Sequence, residues 1–238
     1  MQSGRLIAID GVASSGKSTL AKQLANAVHF EYIDSGAFYR AVTYFFISRN
    51  LNWNKEEIVK ATLPNIHLDF HYDEKTDKCS TFLNRKDIES EIRTLEVSKG
   101  ASEMSAIPSV REFVTNQLRK LAVNKNVVMD GRDIGTVVFP NAELKIFLVA
   151  SAQTRSERRL KELHQRGENV TKTQIEKNLS GRDLRDSTRS AAPLKKAEDA
   201  IELDNTKMSE AEQLNFVLQL VKKKFDSSIK LYRNESND

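Results

Sequence analysis

The segment Gly11-Val12-Ala13-Ser14-Ser15-Gly16-Lys17-Ser18-Thr19 sets glycine, four free positions, glycine, lysine and serine in a row, directly after the apolar run Leu6-Ile7-Ala8-Ile9. Residues of these types at this spacing hold phosphate. Gly11 and Gly16 can adopt backbone angles closed to other residues, so successive N–H groups of the loop can turn inward around an anion. Lys17 adds a point charge toward the outer phosphates. The Ser18 hydroxyl suits magnesium in company with phosphates and water, Thr19 stands beside it as a helper, and the N-terminus of the following helix contributes partial positive charge. A nucleoside triphosphate is the expected ligand.

A second group with chemical potential is Val127-Val-Met-Asp-Gly-Arg-Asp133. A carboxylate at the end of an apolar strand, Asp130, is placed to organise magnesium directly or through its water shell, and Gly131 lets the chain turn so that Arg132 and Asp133 enter the same space. The plainer reading is a strand-end turn stapled by an Asp–Arg pair. A third group, Asp34-Ser-Gly-Ala-Phe-Tyr-Arg40, repeats the arrangement, with Ser35 expected as a helix N-cap and Arg40 one to two turns along. Arg155, Arg158, Arg159, Arg166, Arg182, Arg185 and Arg189 crowd one stretch, as a wrap around polyphosphate requires. Arg182, Asp186 and Arg189 stand at i, i+4 and i+7, a single helical stripe that suits either a ligand-facing row or surface ion pairs.

These groups need a scaffold that brings distant segments to one place. Apolar runs at Arg5 to Asp10, Glu31 to Asp34, Val127 to Asp130, Leu144 to Val149 and Ile201 to Leu203 read as strands. Lys17 to Val28, Val97 to Ala106, Val110 to Ala122, Gln153 to Gln165 and Ser209 to Phe225 carry apolar residues at helical spacing. Such alternation specifies an α/β fold, a doubly wound parallel sheet with its ligand crevice beyond the carboxyl ends of the strands. Two segments exceed a minimal core. Phe38 to Leu95 contains a helix followed by an alternating pattern with a polar turn, an insertion carrying a small antiparallel sheet. Gln153 to Ala192 reads as two helical arms around Gly167, an Arg-rich lid in which Thr171 and Gln174 form a capping box. Gly181 inside the second arm costs about 1 kcal/mol against alanine. The expected division is thus core (1–37), insertion (38–95), core (96–152), lid (153–192) and core with a C-terminal helix and loose tail (193–238).

Composition narrows the classes. Hydrophobic residues at 39% and charged ones at 29% suit a soluble globular chain rather than a disordered or membrane one. The N-terminus enters the first strand without a secretory pattern, which leads to an expected cytoplasmic location, with a monomer as the default. Cys79 is the only cysteine, so an internal disulfide is excluded. His29, His67, His71 and His164 are scattered, without metal-ligand spacing. A net charge of +4 is too small to argue for nucleic acid, and Lys222-Lys223-Lys224 reads as the solvated end of an amphipathic helix. A regulatory GTPase would need a guanine-reading Asn/Thr-Lys-x-Asp segment, and Thr206-Lys207-Met208-Ser209 lacks the aspartate. An RNA-binding module would need interleaved exposed aromatics.

Taken together, DGVASSGKST, DSGAFYR, EIRTLEVS, VREF, DGRDIGTVVFP, KIFLVAS, RDLRDSTR and APL make the sequence resemble bacterial cytidylate kinases over most of its length. The resemblance implies a P-loop NTPase-type five-stranded parallel sheet flanked by helices, with an acceptor-binding insertion and a lid. It implies transfer of the ATP γ-phosphate to CMP or dCMP with Mg2+, without a stable nucleic-acid or membrane partner. By the same resemblance Ser35 and the Arg40 helix face the acceptor, Arg132 its phosphate, and Ser102, Arg111 and Asp133 the cytosine. Arg182, Asp186 and Arg189 then reach the acceptor from the lid. Val12 stands where the family often has proline, and Gly181 where the lid helix usually carries a better helix former. Since phosphoryl transfer is chiefly positioning and charge neutralisation, Lys17, Arg132, Arg158, Arg182 and Arg189 are the expected catalytic cations. Arg155, Arg158 and Arg159 are expected at the donor phosphates. The attacking atom is already a phosphate oxygen, so no general base is assigned. Another acceptor, UMP, AMP or a small metabolite, is the alternative within the kinase class.

Overall fold

Leu6 to Ile9 and Val127 to Met129 are apolar at nearly every position, and strands of that kind must be covered on both faces. The computed structural model, which describes residues 4–165 and 167–225, shows how. Arg166 and the tail at 226–238 lie outside the described residues.

In chain order the elements are β1 (Leu6–Gly11), α1 (Lys17–Val28), β2 (Glu31–Asp34), α2 (Ser35–Ser48), α3 (Glu56–Thr62), β3 (Leu68–Asp73), β4 (Lys78–Leu83), β5 (Lys86–Asp87), α4 (Leu95–Met104) and α5 (Pro108–Leu121). They continue with β6 (Val127–Gly131), β7 (Leu144–Val149), α6 (Ala152–Gln165), α7 (Lys172–Thr188), β8 (Ile201–Asp204) and α8 (Glu210–Phe225). The main sheet is five-stranded, in the order β2-β6-β1-β7-β8, and its neighbouring strands are parallel. Alternation along β1 divides the core: Ile7 and Ile9 pack with Leu20 and Leu24 of α1 and Val217 and Val221 of α8. Ala8 faces the other way, into a cluster with Phe38 and Phe46 of α2 and Val114 and Leu118 of α5.

Register aligns the functional strand ends. Asp34 pairs with Asp130, Asp10 with Gly131 and Gly11 with Leu148, so the P-loop and the Asp34 and Asp130 segments leave the sheet side by side. Gly11 is obligatory there: a Cβ would lie 2.1 Å from the Leu148 carbonyl oxygen. Beyond β6 the chain forms a single wide turn over Ile134–Val138, held by Asp10, whose carboxylate accepts the N–H groups of Ile134 (2.8 Å) and Gly135 (2.7 Å). Burial pushes the Asp10 carboxyl up to about 6, against those two bonds.

The insertion carries a three-stranded antiparallel sheet, β3-β4-β5, with Asn84 and Arg85 both at positive φ in the tight turn from β4 to β5. The division expected at residue 38 falls inside α2, whose Phe38 and Phe46 are buried beside Ile33 and Met129 of the main sheet. Helices α4 and α5 each begin two residues earlier than the apolar spacing suggests. Thr94 caps α4 by accepting the Val97 N–H, and Pro108 occupies the first turn of α5.

The lid has its own seam. Thr171 and Gln174 form the expected capping box at the start of α7, and that helix continues through Gly181. Leu163, Ile175 and Leu179 bury against one another and against Ala13 of the P-loop, apart from the two main cores. Leu179→Ala should therefore remove about 2–5 kcal/mol from the lid alone. Amide hydrogen exchange is expected to accelerate across α6 and α7 while β1 and β6 keep their protection; uniform acceleration through the sheet would contradict this separation.

Candidate active site

At the carboxyl ends of β1, β2 and β6, roofed by the lid, lies a cleft of about 1550 Å³. Its donor end is the P-loop. Ser14 and Gly16 take positive φ, and Lys17 is buried, its Nζ donating to the Val12 carbonyl at 2.6 Å and to Ser15 Oγ at 3.4 Å. Burial, reinforced by nearby Arg132, holds the Lys17 ammonium well below the usual lysine range despite Asp130 and Asp10. A phosphate here would supply the anion that this ammonium lacks.

Beside the loop, Ser18 Oγ donates to Asp130 Oδ2 at 2.8 Å and the Tyr32 hydroxyl donates to Asp130 Oδ1 at 2.9 Å. Burial and neighbouring Asp34 push the Asp130 carboxyl upward, with Lys17 opposing. Ser18 and Asp130 are thus adjacent hard oxygen donors at the mouth of the P-loop, a set that suits a magnesium ion completed by phosphates and water. Among the described residues there is no cluster of three or more His, Cys, Asp or Glu able to hold a metal alone.

Asp34 organises the opposite wall. Its Oδ1 accepts the Ala37 N–H at 3.0 Å, so Asp34, rather than the expected Ser35, is the N-cap of α2. Ser35 is the first helical residue and donates its hydroxyl to the Asp130 carbonyl at 2.6 Å. The cap belongs to Asp34 because that residue keeps extended backbone angles while Ser35 has already entered the helix. Asp34 Oδ2 also accepts from Arg40 Nη2 (2.7 Å) and Arg93 Nη1 (3.3 Å). Burial would raise this carboxyl, but Arg40, Arg93 and the helix N–H hold it well below the ordinary carboxylate range.

Arg132 donates through Nε to Asp186 Oδ2 at 2.9 Å. Arg182 is half-buried on the cleft wall, with its Nε enclosed and making no hydrogen bond, and burial together with Arg132 pushes it down to about 10. Arg40 Nε is likewise buried without a hydrogen-bond partner. Deeper in, Arg111 forms an ion pair with Asp133, donates to the Ser105 carbonyl at 2.9 Å and lies over the Tyr39 ring. Arg189 has left the helical path at the end of α7, yet reaches Asp133 Oδ1 and Ser105 Oγ, each at 3.3 Å.

Ala13, Ser14, Gly16, Lys17, Ser18, Thr19, Ser35, Arg40, Ser102, Asp130, Arg132, Asp133, Arg158, Arg159, Arg182, Asp186 and Arg189 meet on the cleft wall. Gly11, Val12, Ser15, Arg111 and Arg155 stand behind it. Arg155 donates to Asp183 Oδ2 at 2.6 Å and to the Ala13 carbonyl at 3.2 Å. Arg158 donates to the Ser15 carbonyl and to Asn205 Oδ1, both at 3.1 Å, and Arg159 to Glu162 at 2.7 Å.

Sequence reasoning passed over several members and gave Arg185 no partner within its arginine group. Asp183 accepts the Ala13 N–H at 3.4 Å, and Arg185 donates to Ser102 Oγ at 3.1 Å. Their signal was present in the density of charge between Arg182 and Arg189. Arg93 had only its place in a quoted motif, while Tyr32 and Asn205 carried none.

Asp34→Asn should strand Arg40, while Arg93 keeps its bond to Glu89 Oε1 at 2.6 Å, and cost about 3–5 kcal/mol at neutral pH. Because the folded carboxyl is held below its unfolded value, the stabilisation is full above about pH 4 and fades as pH falls further. Urea unfolding of parent and variant should show a gap at pH 7 that narrows below pH 4; a gap independent of pH would contradict the ion-pair account.

Residues 7–223 match the family model described as cytidylate kinase. The chain is 50% identical over 220 residues to a cytidylate kinase of Flavobacterium psychrophilum, covering 90% of this chain and 96% of that one. Its identity to the Flavobacterium johnsoniae cytidylate kinase is 48% over 220 residues, with 90% and 95% covered. A Phocaeicola vulgatus cytidylate kinase is 45% identical over 229 residues, with 94% and 97% covered. A P-loop, an opposing arginine wall and a match along almost the whole length agree: the chain belongs to the cytidylate kinase family.

Proposed function

We propose that this chain transfers the γ-phosphate of ATP to CMP and dCMP with Mg2+, giving ADP and CDP or dCDP. The observation that carries the reading is a cleft lined both by a phosphate cradle and by Arg40 and Arg182, each of which has a buried Nε without a hydrogen-bond partner. Two polyanions brought end to end repel one another, and such a wall is what holds them in line.

The donor triphosphate would lie on the inward N–H groups of the P-loop, with Lys17 released from the Val12 carbonyl toward its outer phosphates. Ser18 and Asp130 are the residues that would hold magnesium, Asp130 directly or through water. Bound there, the ion would neutralise charge on the donor phosphates and orient them. Arg40 and Arg132 would bind the acceptor phosphate, with Asp34 and Asp186 fixing their guanidinium planes. Arg182 would reach the same space from the lid. Asp133, Ser102 and Arg189 would present hydrogen-bonding groups to cytosine, with Arg111 holding Asp133 from behind the wall, an arrangement that discriminates because a mismatched base leaves buried polar groups unpaired. No side chain need remove a proton, since the attacking oxygen belongs to an ionised phosphate. The lid would exclude water from the moving phosphoryl group.

The test is ADP formation from ATP and magnesium with CMP, dCMP, UMP, AMP, dTMP or no acceptor, in parent and Lys17→Ala proteins. CMP and dCMP are expected well above the rest, with Lys17→Ala slower by about 10²–10³ or more and an unchanged circular-dichroism spectrum. Equal turnover without acceptor, or with AMP alone, would overturn the assignment.

A further inference from the structure

A P-loop binds phosphate through N–H groups that point inward, so its carbonyls must point outward. In a planar trans peptide the C=O of one residue and the N–H of the next are opposed, and fixing one fixes the other. The outward carbonyls of a buried loop also need donors. For the peptide joining Ser15 to Gly16 that donor comes from far along the chain: Asn205 Nδ2 donates to the Ser15 carbonyl at 2.8 Å. Asn205 stands just after β8 and is fully buried.

We propose that Asn205 is a positioning residue for the donor polyphosphate, setting the orientation of the Ser15–Gly16 peptide and thereby aiming the Gly16 N–H into the cradle. Every polar atom of its side chain is committed. Nδ2 donates also to Gln213 Oε1 at 2.8 Å, and Oδ1 accepts from Arg158 Nη1 at 3.1 Å. Gln213 is held in turn by the bond from its Nε2 to the Met208 carbonyl at 3.2 Å, which leaves Oε1 facing Asn205. The backbone of Asn205 is pinned as well, its N–H donating to the Val149 carbonyl at 3.0 Å at the end of the β7–β8 ladder. A rigid sheet edge therefore dictates a peptide orientation in a loop some 190 residues away in sequence. Contact is close: a Cβ on Gly16 would lie 3.6 Å from Asn205 Nδ2.

Arg158 makes the device two-sided. Its Nη1 shares the Ser15 carbonyl with Asn205, and its Nη2 donates to the Asn205 carbonyl at 3.2 Å. If Arg158 swings toward a bound nucleotide, Asn205 alone keeps the peptide in place. The loop thus stays set for phosphate through movement of the lid.

This inference rests on the reading of the cleft as an ATP site, but its test separates the two. Calorimetric titrations of the full chain with ATP, with tripolyphosphate, both in magnesium, and with CMP are compared for parent, Asn205→Ala and Gln213→Met proteins, with Michaelis constants for ATP and CMP beside them. For Asn205→Ala the affinities for ATP and tripolyphosphate should each fall tenfold or more, and the ATP Michaelis constant should rise in step. CMP affinity should stay within twofold, which a general loosening of the fold would not allow. Gln213→Met keeps the bond to Ser15 and removes only its far support, so a smaller loss of the same kind, about threefold, is expected. Should Asn205→Ala fail to fold, that loss in Gln213→Met decides the matter. Loss of ATP affinity with tripolyphosphate unchanged would place Asn205 at the nucleoside and overturn the proposal, as would unchanged affinity for both. A parent that binds tripolyphosphate yet forms no ADP with CMP would defeat the proposed function and leave the role of Asn205 standing.

Discussion

Crowding cations into a buried cleft is the constraint from which the rest of this structure follows. Arg132 lies near enough to Lys17 and to Arg182 to depress the proton affinity of each, and burial takes from both part of the water that would otherwise solvate them. Such charge is tolerated only where carboxylates hold it in place. Asp34 serves Arg40 and Arg93, Asp186 serves Arg132, and Asp133 serves Arg111 and Arg189. The carboxylates fix guanidinium planes without cancelling the field. What remains uncompensated is the region between the P-loop and the arginine wall, where arriving phosphates would complete the charge balance.

The fold answers a geometric demand set by that charge. Parallel strands with all their carboxyl ends at one edge deliver Gly11, Asp34 and Asp130 together, and register places the two aspartates opposite one another across β2 and β6. Core packing supplies the rigidity: β1, β2 and β6 are covered by helices on both faces, so the chain ends that carry chemistry cannot drift. The lid is built differently. Its small seam of Leu163, Ile175 and Leu179 meets the remainder partly through Ala13 and otherwise through polar contacts such as Arg155 to the Ala13 carbonyl and Arg185 to Ser102. Polar contacts of that kind can be exchanged for contacts to a ligand at little net cost.

What the sequence disclosed was what local chain chemistry determines. Glycines at fixed spacing, apolar runs and the Thr171–Gln174 cap announce themselves because each depends on near neighbours. The N-cap of α2 was misplaced by one residue, at Ser35 instead of Asp34: Ser and Asp are both good caps, and only the backbone angles show that Ser35 is already helical while its hydroxyl serves Asp130. Tyr32 looked like an ordinary strand residue, since its hydroxyl finds Asp130 only after β2 and β6 pair. Asn205 follows a short strand with no local pattern to mark it; its partners Ser15, Arg158 and Gln213 come from three separate segments. Residues whose work depends on partners distant in sequence leave no periodicity to read.

The central claim is that one cleft holds donor and acceptor phosphates end to end across a shared field of cations. It is tested most directly by calorimetric titration with adenosine and cytidine joined through five phosphates, compared with ATP and CMP separately. A single continuous site predicts one molecule bound per chain, at least a hundredfold tighter than either nucleotide. Affinity no greater than that of ATP, or two molecules bound per chain, would mean that the two phosphate-holding walls do not serve one ligand line, and would contradict the account.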